Sequence, residues 1–200
     1  HGILAVCVGL FAAGLLLPGL GQELFAWGSQ RNPLVTAGQW YRLFTSAFLH
    51  AGLAHVLFNM WALYLFGPGL ERDVGSAPFA ALYLSSALAG GAAFYLWGAP
   101  VPAVGASGAI FGLFGAWLAA AFRARHTVAG RAGFQQLLML LGINLALPLV
   151  VPGIAWQAHL GGLVAGAAIA LAWALPGLRR PGGRSAVAAA VGIVALAVVV

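Results

Sequence analysis

The chain has 200 residues, of which 62% are hydrophobic and 6% are charged, with a mean hydropathy of +0.99. A soluble domain usually carries about 25% charged residues, so this composition excludes an ordinary soluble protein and predicts a polytopic membrane protein. The net charge of +6 comes from nine arginines against three acidic residues. Because no basic patch is interleaved with polar base-reading residues, we attribute the charge to membrane topology and expect no nucleic-acid partner.

Seven apolar runs follow one another along the chain, most of them close to the length of about 20 residues that a bilayer span needs. They lie near residues 2–19, 53–70, 78–97, 107–122, 133–151, 157–175 and 185–200. The first run lacks a basic amino-terminal flank and has further spans behind it, so we expect a mature helix and not a signal peptide. The fourth is short and follows the apolar loop WGAPVPAVGA, so we expect this helix to begin below the membrane surface.

These runs predict an all-α polytopic membrane protein with a six-helix transmembrane core and a seventh helix at the carboxy-terminal end. We expect residues 1–177 to form the six-span core, and residues 178–200 to form an arginine-rich loop and the seventh span. The single cysteine, Cys7, lies in an apolar run. We therefore expect it to be a buried apolar side chain, with no disulfide framework and no cysteine metal site.

Arginines cluster in the loops that follow the second, fourth and sixth spans. They are Arg72 in the first of these loops, Arg123, Arg125 and Arg131 in the second, and Arg179, Arg180 and Arg184 in the third. By the positive-inside rule these loops and the amino terminus are cytoplasmic, so spans 2, 4 and 6 all enter the membrane from outside. The Ala/Gly/Arg-rich composition without lysine suggests a GC-rich bacterial gene and hence the bacterial inner membrane.

Few polar side chains lie within the spans, and four of them gather at the outer ends of spans 2, 4 and 6. His55 and Asn59 share one face of span 2, Ser107 begins span 4, and His159 lies in the first turn of span 6. Taken singly, such a serine is more often a helix cap or an interhelical contact, and such a histidine is more often a packing residue. Their convergence at one depth favours a functional site.

Glycines predict how the fourth and sixth spans pack. The stripe residues are Gly108, Gly112 and Gly115 on span 4, and Gly162 and Gly166 on the face of span 6 that carries His159. Small residues at this spacing let helix backbones approach closely. We expect the contact to bring Ser107 within hydrogen-bond reach of His159.

Three ways of cutting a peptide bond inside a membrane can be compared with this sequence. A zinc route is disfavoured because H-E-x-x-H is absent and His50 and His55 are poorly spaced as helical ligands, so we expect no metal site. Paired aspartates are excluded because Asp73 is the only aspartate. Serine chemistry is left, with Ser107 as the nucleophile and His159 as the base that takes its proton. No carboxylate is placed to complete a triad, so we expect a Ser/His dyad without a cofactor.

Attack by a serine leaves a tetrahedral oxyanion that needs preorganised hydrogen-bond donors. The available donors are His55, the Asn59 amide and the backbone N–H of Ser107 at the positive end of the fourth span. Gly105 and Gly108 suit a turn in which the backbone must approach a substrate closely. We therefore place Gly105 with His55 and Asn59 in a candidate oxyanion and substrate-binding region.

Three motifs, GQWYRLFTSAFLHAGLAHVLFNM, GASGAIFG and AHLGG, occur in this order on spans 2, 4 and 6. Together they resemble the motifs of the rhomboid family of intramembrane serine proteases, over about residues 2–175. The resemblance implies Ser107 as the nucleophile, His159 as the base, and His55 and Asn59 in the oxyanion hole. It also implies a six-helix core with a water-accessible active site open to the outside. The implied partners are the lipid bilayer and transmembrane protein substrates.

The resemblance assigns roles to further residues. The segment before span 2 resembles the membrane-embedded first loop of the family, in which we expect Arg42 and His50 to hold loop carbonyls. Glu71 and Gly75 resemble the structural turn after span 2. Phe111 stands where some family members have a tyrosine, so it preserves the ring that supports the histidine and removes the hydroxyl.

Two other functions and one question of access stay open at the level of the sequence. A catalytically silent relative that binds membrane clients would predict damage to the dyad, which the sequence does not show. A channel or transporter would use the histidines in a proton relay, but it leaves the pairing of GASG and AHLGG unexplained. Phe58 and Trp156 are gate candidates, and a lipid-facing or interfacial position explains them equally well. The sequence leaves the oligomeric state open.

Overall fold

A computed structural model describes residues 2–200, and these residues form α-helices joined by short connections. The helices are α1 (Gly2–Leu16), α2 (Pro18–Gly28), α3 (Asn32–Thr36), α4 (Arg42–Thr45), α5 (Leu53–Val74), α6 (Ser76–Trp97), α7 (Ser107–Ala124), α8 (Val128–Ala146), α9 (Trp156–Ala172) and α10 (Pro181–Ala197). The β-pairing found within these residues is one isolated antiparallel bridge between Gln30 and Ala103. The predicted all-α fold is confirmed.

Seven apolar helices occupy the seven predicted segments. Four of them, α5, α6, α7 and α8, are long and apolar enough to cross a membrane, whereas α1, α9 and α10 are apolar helices of 15, 17 and 17 residues. The largest differences from the sequence prediction are at α8, which ends at Ala146 and not near residue 151, and begins at Val128 and not near residue 133. The Thr127 hydroxyl caps the helix there by accepting a 3.0 Å hydrogen bond from the Gly130 N–H.

Helices α7 and α9 run parallel and pack backbone to backbone. A Cβ atom added at Gly162 would collide with the Gly108 carbonyl, and one added at Gly166 would collide with the Gly112 carbonyl. Gly115 lies in the same way against the next turn of α9. Because only glycine leaves room for these approaches, the packing predicted from the glycine stripes is confirmed.

Helix α6 lies between α9 and α10 and carries much of the buried surface. A Cβ atom at Gly90 of α6 would lie 2.8 Å from the Ala158 carbonyl at the start of α9. On the other side, one at Gly192 of α10 would lie 2.8 Å from the Ser85 hydroxyl, and Ala188 of α10 is fully buried. Helix α8 is peripheral by contrast, since it packs against α7 and buries none of its residues.

We expect Gly166→Ala to lower the free energy of unfolding by about 1–3 kcal/mol, because its methyl group would overpack the contact with Gly112. The matched control is Gly142→Ala on α8, where nothing lies within 4 Å of an added Cβ atom. The control should be neutral or more stable, because alanine is the better helix former. Thermal unfolding in detergent micelles measures both variants, and equal stability of the two would contradict the packing described here.

Candidate active site

The segment between α1 and α5 fixes the chain that leads into α7. Gln30 exchanges two 2.9 Å backbone hydrogen bonds with Ala103, and the Gly105 N–H donates a 2.9 Å hydrogen bond to the Ser46 carbonyl. The buried Gln30 side chain also donates to the Gly91 carbonyl of α6 at 2.8 Å. This segment therefore ties the entrance of α7 to α6. Sequence reasoning missed Gln30, because a single glutamine in a loop gives no local signal.

Arg42 holds the same segment together from inside. Its guanidinium donates from Nη1 to the carbonyls of Ala26 and Ser29 at 2.9 and 2.8 Å, and from Nε to the Gln39 side chain at 2.7 Å. The side chain is 4% exposed, so its charge is balanced by oxygen acceptors of the loop. The expectation that Arg42 holds loop carbonyls is confirmed.

Ser107 and His159 meet at the entrances of α7 and α9. Ser107 is the first residue of α7, and His159 lies in the first turn of α9. The Ser107 Oγ and the His159 Nε2 are 2.9 Å apart, within hydrogen-bond distance, and both residues are partly exposed. A neutral imidazole at this distance can accept the serine proton when the oxygen attacks an electrophile. The predicted proximity is confirmed, while the roles of the two residues stay predictions at this point.

Phe111 fixes the plane of the His159 ring. The two rings are stacked with centroids 4.2 Å apart and an interplanar angle of 9°. Ser107 is the one hydrogen-bond partner of the His159 ring among residues 2–200, so this bond and the stacking on Phe111 are the contacts that orient the ring. Phe111 lies one turn after Ser107, so α7 supplies both the hydroxyl and the ring that faces the imidazole. The expected support of the histidine by Phe111 is confirmed.

His55 and Gly105 lie beside the serine. Gly105 has a φ of +127°, and an added Cβ atom there would lie 2.6 Å from the His55 Nε2 and 3.8 Å from the Ser107 Oγ. Asn59 is 6% exposed and donates one amide hydrogen to the His55 carbonyl at 2.9 Å. Glycine is therefore required at position 105 by both backbone conformation and space. The structure brings His55 and Gly105 to Ser107, and Asn59 lies one turn further along α5.

His50 does not have the role expected from the sequence. It is buried and packs edge-on against the His55 ring with centroids 5.1 Å apart. Neither ring nitrogen makes a hydrogen bond among residues 2–200, since the nearby Phe48 backbone lies outside hydrogen-bonding geometry. The expectation that His50 holds loop carbonyls is therefore wrong. Burial, and to a lesser extent the neighbouring His55, lowers the pKa of His50 to about 4, so the packed ring is neutral near pH 7.

The titratable side chains near the serine do not form a cluster of three or more possible metal ligands among residues 2–200. The residues that meet at the candidate site are instead a hydroxyl, imidazoles, an amide and a glycine turn. These groups suit proton transfer and hydrogen bonding to an oxyanion.

The remaining residues singled out from the sequence lie at the turn between α5 and α6, on α5 and at the start of α9. Gly75 has a φ of +93° between α5 and α6, and the Ser76 hydroxyl donates to the Glu71 carboxylate at 2.7 Å, which confirms a structural turn. Phe58 on α5 and Trp156 at the start of α9 are 70% and 47% exposed. Their roles as gates stay predictions.

The fold and the paired side chains define an all-helical membrane protein in which a serine hydroxyl and an imidazole meet at the entrances of two parallel helices. The Rhomboid domain family matches residues 37–175. Rhomboid protease GluP of Bacillus subtilis is 38% identical over 155 residues, which cover 78% of this chain and 30% of that protein. The Bacillus subtilis protein YdcA is 39% identical over 134 residues, or 66% of each chain. RHOMBOID-like protein 9, chloroplastic, of Arabidopsis thaliana is 36% identical over 143 residues, 70% of this chain and 32% of that protein.

The chain therefore belongs to the rhomboid family, and it is a multi-pass integral membrane protein. It spans about a third of the length of GluP and of the Arabidopsis protein, and about two thirds of YdcA. The resemblance seen in the three motifs is confirmed.

We expect Phe111→Leu to slow the reaction of Ser107 with a fluorophosphonate by about two- to tenfold, because an aromatic pair contributes about 0.5–1.5 kcal/mol beyond its buried area. Phe111→Tyr is the matched control and should react at the rate of the unmodified protein, because it keeps the ring that stacks on His159. The labelling rate measures both variants in the same detergent. An unchanged rate in Phe111→Leu would show that the ring does not orient the imidazole.

Proposed function

We propose that this chain is an intramembrane serine endopeptidase that cleaves single-span membrane proteins near the outer membrane face. The observation that carries the proposal is the 2.9 Å distance between the Ser107 Oγ and the His159 Nε2 in a membrane-embedded bundle. Membership of the rhomboid family and the name of GluP, a rhomboid protease, support the same activity. Residues 1–177 are the catalytic core of this proposal, and residues 178–200 form a loop and a seventh helix.

The reaction begins with the serine and the histidine. The Ser107 Oγ attacks the carbonyl carbon of the scissile peptide while the His159 Nε2 takes the hydroxyl proton. His159 becomes an imidazolium, and the carbonyl oxygen becomes the oxyanion of a tetrahedral intermediate. The parallel Phe111 ring holds the imidazole in one plane as its charge changes, and it offers its negative π face to the cation.

The proposed donors to the oxyanion are one backbone N–H and two side chains. The Ser107 N–H is at the first position of α7, so it has no partner within the helix and lies at the positive end of the helix dipole. His55 adjoins the Gly105 turn and donates an imidazole N–H. Asn59 has a second amide hydrogen beyond the one bound to the His55 carbonyl. Preorganised donors of this kind stabilise the transition state because they need no rearrangement.

Breakdown of the intermediate returns the proton. The imidazolium of His159 protonates the leaving amine, the peptide C–N bond breaks, and an ester forms between the substrate acyl group and the Ser107 Oγ. Water then attacks the ester, with His159 again accepting a proton and returning it to the serine oxygen. The products are a new carboxylate and a new amine, and the dyad is restored.

The substrate must unwind before it can react. A transmembrane helix offers no free carbonyl, since each carbonyl is hydrogen-bonded within its own backbone. Segments with Gly or Pro unwind more easily because these residues are costly in helix interiors, so we expect cleavage next to them and at a small residue such as alanine. The exposed Phe58 and Trp156 are the gate candidates on the route from the bilayer.

The orientation of the protein follows from its arginines. With the loops after α5, α7 and α9 on the cytoplasmic side, the amino terminus is cytoplasmic and the entrances of α7 and α9 face the outside. The reaction then takes place near the outer face of a bacterial inner membrane. The described bundle is consistent with this placement, because Ser107 and His159 lie at the same ends of their parallel helices.

We expect Ser107→Ala and His159→Ala each to reduce cleavage of a single-span membrane reporter by roughly 10³-fold or more, because the dyad acts as a unit. Ser185→Ala is the matched control, since the Ser185 hydroxyl only donates to the Pro181 carbonyl within α10. The measurement is the initial cleavage rate in proteoliposomes, with thermal unfolding as the check on folding.

Retained cleavage in either folded dyad variant would contradict the proposal. If the unmodified protein binds membrane clients but neither cleaves them nor reacts with a fluorophosphonate, the catalytically silent relative is the correct function. Ion or solute flux through the unmodified protein in proteoliposomes without cleavage would favour a channel or transporter instead.

We expect Asn59→Ala to lower kcat by about 10²–10³-fold with little change in KM, because it removes one oxyanion donor. Asn144→Ala is a matched control, since Asn144 on α8 makes the same 2.9 Å bond to the carbonyl four residues earlier. The two variants lose the same local hydrogen bond, so only Asn59→Ala should affect the reaction. Steady-state cleavage kinetics distinguish them, and equal effects would remove Asn59 from the oxyanion hole.

A further inference from the structure

A second polar feature lies at the end of α7 remote from Ser107. The loop between α7 and α8 and the first turns of α8 border an open cavity of about 630 Å³. Its lining residues are Arg125, His126, Arg131, Phe134, Gln135 and Leu138. This volume is within the range of about 300–1,000 Å³ that small-molecule sites have.

The depth of this cavity matches the headgroup region of a bilayer. Helix α7 has 18 residues, so it rises about 27 Å from Ser107 to its last turn. The hydrocarbon core of a bilayer is about 30 Å thick. The cavity therefore lies at the membrane surface opposite to the one that Ser107 approaches, and the dyad and the cavity share no residue.

The positive charge of the cavity lining favours an anionic ligand. Arg125 and Arg131 are both exposed lining residues, His126 adds an imidazole donor, and none of the six lining residues is acidic. The Arg125 guanidinium is already held in place, because it stacks on the Phe122 ring at 3.6 Å and donates to the Phe122 carbonyl at 2.6 Å. Its remaining N–H groups are free to bind phosphate oxygens as a planar fork.

The lining changes from charged to apolar along one face of α8. Arg131, Phe134, Gln135 and Leu138 are spaced i, i+3, i+4 and i+7, so they share that face. Arg131 lies nearest the membrane surface, and Leu138 lies deepest. Phe134 also packs against Phe122 of α7 with ring centroids 5.6 Å apart. No residue of α8 is buried, and Arg131, Gln135 and Leu138 on this face are exposed.

We propose that this cavity binds an anionic phospholipid, with the phosphodiester between Arg125 and Arg131 and an acyl chain along Phe134 and Leu138. A phosphate held at the membrane surface and a chain directed into the bilayer match the order of charged and apolar residues along α8. Basic pockets between membrane helices on the cytoplasmic side bind lipid headgroups by this chemistry. A free phosphate ion shares the headgroup chemistry but gains nothing from the apolar wall.

The test uses the full chain in detergent micelles and counts bound lipids by native mass spectrometry. Phosphatidylglycerol is titrated against the zwitterionic phosphatidylcholine of the same chain length. An arginine near an anionic lipid strengthens binding about fivefold. The double variant Arg125→Gln/Arg131→Gln should therefore weaken phosphatidylglycerol binding about 25-fold. Arg179→Gln/Arg180→Gln is the matched control, because it removes the same charge from exposed positions in the α9–α10 connection and should bind normally.

One further variant and one competition experiment test the same site independently of the double variant. Gln135→Glu leaves both arginines in place and puts a negative charge inside the cavity, so it should also weaken phosphatidylglycerol binding even if the double variant fails to fold. Inorganic phosphate at millimolar concentration should displace the lipid poorly. The proposal is overturned if phosphatidylglycerol binds no better than phosphatidylcholine, or if the two double variants lose affinity equally. It is also overturned if phosphate displaces the lipid readily, since the ligand would then be a soluble anion.

Discussion

The contact between the backbones of α7 and α9 is the constraint on which the rest of the structure depends. Gly162 leaves no room for a side chain against the Gly108 backbone, and Ser107 and His159 lie immediately beside this contact. An approach at larger distance would need side chains between the helices and would pull the hydroxyl away from the imidazole. Packing through small residues therefore brings a hydroxyl and an imidazole within hydrogen-bond distance in a bundle with few polar groups.

Helix α7 connects this contact to the candidate active site at one end and to the arginine-containing loop at the other. At its entrance, the Gly105 turn is fixed by a hydrogen bond to Ser46 and leaves space for His55. Within its second turn, Phe111 stacks on the imidazole. At its far end lies Arg125, which belongs to the proposed lipid site. A bound lipid there would fix the depth of α7 in the bilayer, and with it the depth of the serine. Residues along α7 therefore contribute to the helix packing, to the proposed reaction and to the proposed lipid contact.

Much of this arrangement could be predicted because its determinants are local or periodic. Hydropathy located the spans, and the spacing of Gly162 from His159 indicated which face of α9 would meet α7. His55 and Ser107 were predicted to share a site because both lie at the same depth in the membrane, and both side chains do lie beside Gly105. Gln30 could not be predicted, because its partners Ala103 and Gly91 are more than 60 residues away in the chain. The packing of His50 also depends on tertiary contacts that no local pattern encodes.

The most direct test of the link between helix contact and reactivity is the rate at which a fluorophosphonate labels Ser107 in Gly162→Ala. The methyl group would meet the Gly108 backbone, and a displacement of about 1 Å can reduce reactivity about 10²-fold. We predict labelling slowed by about that factor in protein that is still folded, with Gly142→Ala labelled normally. Labelling of folded Gly162→Ala at the unmodified rate would show that the glycine contact does not hold the serine and the histidine together.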